Sequence, residues 1–283
     1  MLVTETLTLA VDCGGGGIKA NVLDASGTAH ASPVRVPTPY PLPPTLLVDT
    51  VADIASGLPS AHRVTVGMPG MIRHGVVIHT PHYITRSGPR SLVVPELAQA
   101  WATFDMQAAV TERLGIPALV LNDAEVHGAG VVTGSGVEFV MTLGTGLGTA
   151  LFDGGRLAPH LEWSHAPIRL SRSTTLWVAG AGDQALAAIR DRQANTARFR
   201  PATYDEFIGE PERQRLGDSQ WSRRVLAMVE GLRPVFWWDR LYIGGGNSRL
   251  ISPTVLGRLG DDVVVVPNSA ALVGGARAWD LLG

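Results

Sequence analysis

Apolar residues along this chain fall in short runs that stop abruptly on glycine or on an Asn-Asp pair, with helical patterns between them. Leu7 to Asp12 is apolar enough for a strand; it breaks into Cys13-Gly14-Gly15-Gly16-Gly17 and resumes as Ile18 to Leu23. The turn Asp24-Ala-Ser-Gly27 leads to a third predicted strand near Ala29 to Val36. The prolines from Pro37 to Pro44 predict an irregular connection. Thr45 to Ser56 follows as a helix, with Leu46, Leu47, Val51 and Ile54 at near-helical spacing. Strands are predicted over Val64 to Met68 and His74 to Thr80. Between them and an amphipathic helix at Phe104 to Leu114 lies a Gly, Pro and Arg-rich loop, Pro81 to Pro95. Loops of that length inside compact domains are often functional.

The second half repeats the rhythm. Ala118 to Leu121 is a strand that ends on Asn122-Asp123, and Ala124 to Val132 continues as a helix. Val137 to Leu143 breaks into Gly144-Thr145-Gly146-Leu147-Gly148, and Thr149 to Phe152 and Arg156 to Leu157 flank the hairpin signal Asp153-Gly154-Gly155. Ser173 to Arg200 reads as largely helical and Tyr204 to Phe207 as a further turn. Trp221 to Phe236 sets Val225, Met228, Val229 and Leu232 on one helical face. Arg240 to Ile243 meets Gly244-Gly245-Gly246-Asn247, Val263 to Val266 is a last strand, and Ala270 to Leu281 a closing helix. Two α/β lobes around a cleft are expected, residues 1–117 and 118–283, with three glycine corners facing the cleft. The last helix, about residues 270–282, is expected to pack back on the first lobe.

Strand, glycine loop, strand is not the order of a Walker loop or a dinucleotide fold, which need a helix directly after the glycines. It is a hairpin whose unshielded N–H groups can wrap an oxyanion. A carboxylate at a strand end near two such loops suggests phosphoryl transfer, with Asp123 as general base. The bland alternative is that Asp123 only N-caps the following helix. Asp12, Gly14, Gly15, Gly16 and Lys19 form a first phosphate site, with Asp12 holding a hydrated Mg²⁺. Thr142, Gly144, Thr145, Gly146 and Gly148 form a second. Glu162 and His165 suit recognition of sugar hydroxyls, or make a local hydrogen bond.

Composition narrows the rest. A 45% apolar, 17% charged chain is ordinary globular protein, and a net charge of -2 gives no argument for nucleic acid or an anionic membrane. No apolar run approaches the roughly 20 residues of a membrane span, and no signal-peptide pattern opens the chain, so a cytoplasmic location is expected. The single cysteine, Cys13, rules out an internal disulfide and a multi-cysteine zinc site. Of 23 basic residues only Lys19 is lysine, and its place beside the glycine run suggests a need for a compact ammonium, or chance. Six arginines between Arg169 and Arg200 against Asp183 and Asp191 make a basic patch that either guides a polyanion or is a solvated helix face.

Taken in order, Asp12 to Lys19, Gly67-Met-Pro-Gly70, Leu121-Asn-Asp123-Ala, Leu143 to Gly148, Glu162-x-x-His165 and Ile243 to Asn247 resemble the motifs of the ROK (repressor, ORF, kinase) sugar kinases. The resemblance is greatest to their polyphosphate glucokinase branch. It implies a two-lobed, actin-like (ribonuclease-H-like) ATPase fold. The implied activity is phosphoryl transfer from ATP or polyphosphate to O6 of glucose or a related hexose. It also implies Mg²⁺, no zinc, and a homodimer. By resemblance Asp123 is the base, and Asn122, Glu162, His165 and Gly70 belong to the sugar site. Gly244, Gly245, Gly246 and Asn247 match the adenosine motif. Three departures stand out: Gly16 replaces a usual Thr or Ser, Ser164 replaces a glycine, and no carboxylate follows His165 in Ala166-Pro-Ile-Arg-Leu. They motivate an alternative, a non-catalytic sugar-binding or regulatory protein. No DNA-binding helix-turn-helix precedes Leu7, which argues against the repressor members.

Overall fold

The computed structural model describes residues 6–168 and 202–281. The expected helix at Ser173 to Arg200 and the Arg169 to Arg200 patch lie outside the described residues.

Two five-stranded sheets organise the chain. In the first, β1 (Thr8–Cys13) and β2 (Ile18–Leu23) form an antiparallel hairpin with Asp12 opposite Lys19. The short β3 (Val34–Val36) flanks β2. On the other side β4 (Arg63–Met68) runs parallel to β1 and pairs with β7 (Ala118–Asn122). A small separate hairpin joins β5 (Met71–Arg73) to β6 (Val76–His79). The second sheet repeats the plan: β8 (Val137–Leu143) and β9 (Leu147–Asp153) are the antiparallel hairpin, with β10 (Arg156–Leu157) outside β9. Parallel strands β11 (Arg240–Gly244) and β12 (Val263–Val265) complete it beyond β8. The expected division at 117/118 falls just ahead of β7, which is hydrogen-bonded into the first sheet.

Each sheet has its own core. On the first, α1 (Pro44–Ser56) starts with proline at its first turn, where no N–H is needed, and buries Leu47, Val48, Val51 and Ile54. Trp101, at the end of α2 (Pro95–Trp101), is fully buried and donates its indole N–H to Leu42 O at 2.8 Å. The next helix, α3 (Met106–Leu114), ends on Gly115 in the left-handed conformation. Short α4 (Asp123–Ala129) leaves β7 directly.

On the second sheet, α5 (Tyr204–Ile208) and α6 (Glu210–Leu216) lead into α7 (Asp218–Phe236). The N-cap of α7 is Gly217, so no side chain caps the helix, a loss of about a few tenths of a kcal/mol. It buries Val225, Leu226, Met228, Val229 and Leu232 together with Trp221. Each such side chain contributes about 1.5–3 kcal/mol, so burial rather than capping holds this helix. After α8 (Pro253–Leu256), the last helix α9 (Ala270–Arg277) lies across α4 and against β1 and β4. Its approach is close: Thr65 donates to Gly275 O at 2.7 Å, and Trp279 just beyond donates to Thr65 at 2.8 Å.

The structure departs from the sequence expectations in instructive places. The third strand spans only Val34–Val36, because Ala29 to Pro33 makes one isolated bridge to Leu23 and then leaves the sheet. β5 was hidden by its three-residue length, and α2 and α6 by the proline in the first turn of each. The predicted closing helix is α9 followed by a separate 3₁₀ turn, Ala278–Asp280.

Candidate functional site

A cleft of about 560 Å³ opens between the two sheets, and the three glycine corners reach it to different degrees. Asn122 and Asp123 lie on its floor at the β7–α4 corner. Asn122 is the N-cap of α4: its Oδ1 accepts from Ala124 N at 2.8 Å, its Nδ2 donates to Gly70 O at 2.8 Å, and its own N–H reaches Glu125 at 2.9 Å. Because Asn122 caps the helix, Asp123 is not needed for it. Asp123 Oδ1 only shares the Ala124 N–H, at 2.9 Å, and Oδ2 has no partner among the described residues. Burial lifts the Asp123 carboxyl first; Asp12 and Glu162 add to the lift, against the Ala124 N–H and His160, and the pKa reaches about 7. That value suits a general base at neutral pH. Gly70 has φ 121°, and a Cβ there would stand 2.2 Å from His79 O, so only glycine fits where its carbonyl must meet Asn122.

The Asp12 to Lys19 hairpin forms one wall. The carbonyls of Cys13, Gly14 and Gly15 are held from behind by Tyr83, Thr38 and Tyr40 hydroxyls at 2.7–3.0 Å. The N–H groups of Gly15 and Gly16 have no partner among the described residues. Lys19 Nζ lies 3.3 Å from Asp12 Oδ2. Opposite, Thr142, Gly144, Thr145, Gly146 and Gly148 all line the cleft. Leu147 N donates to Asp205 at 2.9 Å, and Asn247 Nδ2 to Gly144 O at 3.0 Å, so this loop is braced by residues distant in sequence. Of the third corner, Gly245 and Gly246 line the cleft. Gly244 instead packs against the His127 ring, and Asn247 is tied to Glu210 at 2.8 Å.

Glu162 and His165 sit at the other end, on the 3₁₀ turn Trp163–His165 and its N-cap. Ser164, at the position where the resemblance expects glycine, donates to Glu162 Oε1 at 2.5 Å. Glu162 also lies 3.6 Å from His160 Nε2, while His160 Nδ1 lies 3.3 Å from Glu125. Burial opposes the imidazolium, but the two carboxylates outweigh it and lift the His160 pKa to about 9. Burial likewise raises the Glu162 carboxyl, and His160 and Ser164 more than reverse it, holding it below its ordinary value. Glu162 is therefore an ionised acceptor. His165 is exposed at the rim, with its ring 6.4 Å from that of His79.

The sequence reading missed Arg35, Arg90, His160 and Asp205. No glycine motif marks them: Arg35 reaches the site through strand register, Arg90 from a long loop, His160 from the short connection ahead of Glu162, and Asp205 from the first turn of α5. Arg90, from the Pro81 to Pro95 loop, crosses the cleft to donate to Thr145 O at 2.8 Å. Among the described residues no group of three or more His, Cys, Asp or Glu is placed to hold a metal by side chains alone.

The ROK family profile matches residues 8–162, more than half of the chain. The chain belongs to the ROK family. Polyphosphate glucokinase of Mycobacterium tuberculosis (strain H37Ra) is 25% identical over 288 residues, covering 97% of this chain and 92% of that protein. The crystal structure of the inorganic polyphosphate/ATP-glucomannokinase from Arthrobacter sp. strain KM matches with a TM-score of 0.71 at 26% identity, covering 98% of this chain and 99% of the other. A ROK family glucokinase from Streptomyces griseus, solved with glucose and AMPPNP, shares the fold at 21% identity and a TM-score of 0.62, covering 96% and 98%. The two-sheet architecture of this ROK chain is thus the actin-like ATPase fold.

Proposed function

We propose that this ROK protein is a hexose kinase that transfers a phosphoryl group from ATP or polyphosphate to the 6-hydroxyl of glucose or a related hexose. The observation that carries the reading is a single cleft in which a carboxyl with a pKa of about 7 stands between two glycine loops and an ionised sugar-facing carboxylate. The names of its relatives, polyphosphate glucokinase and polyphosphate/ATP-glucomannokinase, point to the same class.

In this reading Asn122, Gly70, Glu162 and His165 hold the sugar, and Asp123 takes the proton from its hydroxyl. The hydroxyl oxygen then forms the new P–O bond as the bond to the rest of the donor breaks. The Gly14 to Gly16 and Gly144 to Gly148 loops, with Lys19 and the Thr142 and Thr145 hydroxyls, hold the donor phosphates. Gly244 to Asn247 serve the nucleotide when ATP is the donor, with Gly245 and Gly246 on the cleft side. Asp12 keeps Oδ1 without a partner among the described residues, so its single carboxylate would hold a hydrated Mg²⁺. Such an ion neutralises charge on the phosphoryl chain. No helix among the described residues is long and apolar enough to cross a membrane. A cytoplasmic homodimer completes the proposal, with the two sheets as the lobes of a closing cleft.

The test is to incubate the protein with glucose, Mg²⁺ and either ATP or long-chain polyphosphate and to follow the products by ³¹P NMR. A new sugar 6-phosphate resonance is expected. No phosphorylated sugar from either donor, with mannose failing as well, would sink the proposal; calorimetric sugar binding without turnover would then favour the non-catalytic alternative.

A further inference from the structure

Across the first sheet, at its cleft end, three charged side chains stand in one row. Asp12 is directly opposite Lys19, and Lys19 directly opposite Arg35, so all three share the face that lines the cleft. Asp12 satisfies Lys19 at 3.3 Å, but no carboxylate pairs with Arg35 among the described residues. Like charges directly opposite on an antiparallel pair destabilise it, and an anion between them would remove that cost. The Arg35 guanidinium lies against the glycine hairpin: a Cβ on Gly17 would stand 3.4 Å from Nε and 3.6 Å from Nη2. Beside it, nothing lies within 4 Å of where a Cβ on Gly16 would be. The hairpin thus has open room at Gly16 and a cation over its next residue.

We infer that Arg35 is a donor-binding residue, supplying from β3 the phosphate contact that Gly16 has no hydroxyl to make. The inference rests on the kinase reading and goes beyond it in naming which side chain takes the donor. A guanidinium remains charged at any working pH, and its planar fork matches two phosphate oxygens at once. Lys19 and Arg35 then bracket a chain of linked phosphates, which removes their mutual repulsion. The ligand class is a polyphosphoryl chain, whether the triphosphate of ATP or an inorganic polyphosphate.

The test compares wild type, Arg35→Ala and the double variant Gly16→Thr with Arg35→Ala, each assayed with ATP and with long-chain polyphosphate. Arg35→Ala is expected to raise the KM of the donor that wild type uses at least tenfold while leaving the sugar KM within twofold. Gly16→Thr is expected to recover part of that loss, since the open space admits the side chain. A rise for polyphosphate alone assigns the inorganic chain to Arg35; a rise for ATP alone assigns the nucleotide. Donor KM within twofold of wild type for both donors, or a sugar KM that rises in its place, overturns the assignment, and absence of any recovery overturns the exchange between the two positions. Calorimetric titration with inorganic tripolyphosphate reads the same contact without turnover. Tenfold weaker binding by Arg35→Ala is expected, and equal binding contradicts the inference. Absence of turnover in wild type would defeat the kinase reading, while this titration would still decide the role of Arg35.

Discussion

A carboxyl that titrates near 7 instead of near 4 owes the difference to its surroundings, and at Asp123 these are burial, Asp12 and Glu162. A base works only when deprotonated. In the proposed role of Asp123, kcat/KM should therefore rise with pH through about 7 and be lost progressively below it, as a single ionisation measured from pH 5 to 9. Removing one of the charges that lift it should move the profile. Glu162→Gln is expected to shift the kcat/KM midpoint to lower pH and raise the sugar KM; an unmoved midpoint would exclude Glu162 from the electrostatics of Asp123. At this scale the sequence was informative where chemistry follows from a strand end: Asp123 and Asn122 were legible as a corner. Their division of labour was not, because which of two adjacent side chains caps α4 depends on the backbone angle at Asn122, φ -64° and ψ 147°.

Between elements, His160 is the connection the sequence concealed. Its imidazole joins Glu125, on the first turn of α4, to Glu162, on the turn that carries His165. Glu125 in turn holds the Asn122 N–H. A histidine two residues ahead of a glutamate has no signature by itself, and only the fold brings Glu125 beside it. Its pKa is raised from 6.5 to about 9, so it contributes stability that is fully present below about 6.5 and lost as pH rises through about 9. Urea midpoints across pH 6 to 9.5 should decline in wild type, and this decline should be smaller in His160→Leu. At pH 6 the variant should also be destabilised by about 3–5 kcal/mol, because the buried Glu125 and the half-buried Glu162 lose the cation between them. Equal urea midpoints for the two proteins would show that the link carries nothing. The glycine-ended strands were readable because a loop that admits an anion has few other residues to choose from. The cross-strand partners of those loops, Arg35 above all, become visible only with the register of β2 and β3.

Over the whole molecule, the crossing of α4 and α9 ties the end of the chain to the base of the cleft. Gly274 meets the backbone of α4 so closely that a Cβ would stand 1.7 Å from Val126 O, and a Cβ on Gly130 would stand 2.1 Å from Ala270 O. Gly274→Ala should destabilise the protein by about 1–3 kcal/mol through forced separation of the two helices, read as a lower urea midpoint. An unchanged midpoint would mean that the crossing is slack. The two-lobed plan was legible because the strand, glycine corner and helix rhythm occurs twice; the close passage of α9 was not, since glycines within a helix give no sign of what they approach. On the other side of the cleft the lobes meet through Arg90 and Thr145.

Phosphoryl transfer from a donor in the glycine loops to a sugar hydroxyl deprotonated by Asp123 is the claim on which these readings converge. Its most direct test is the turnover number of Asp123→Asn with saturating glucose and donor at pH 8. A fall of roughly 10²–10⁴-fold is predicted from loss of the base. Turnover within threefold of wild type would contradict it.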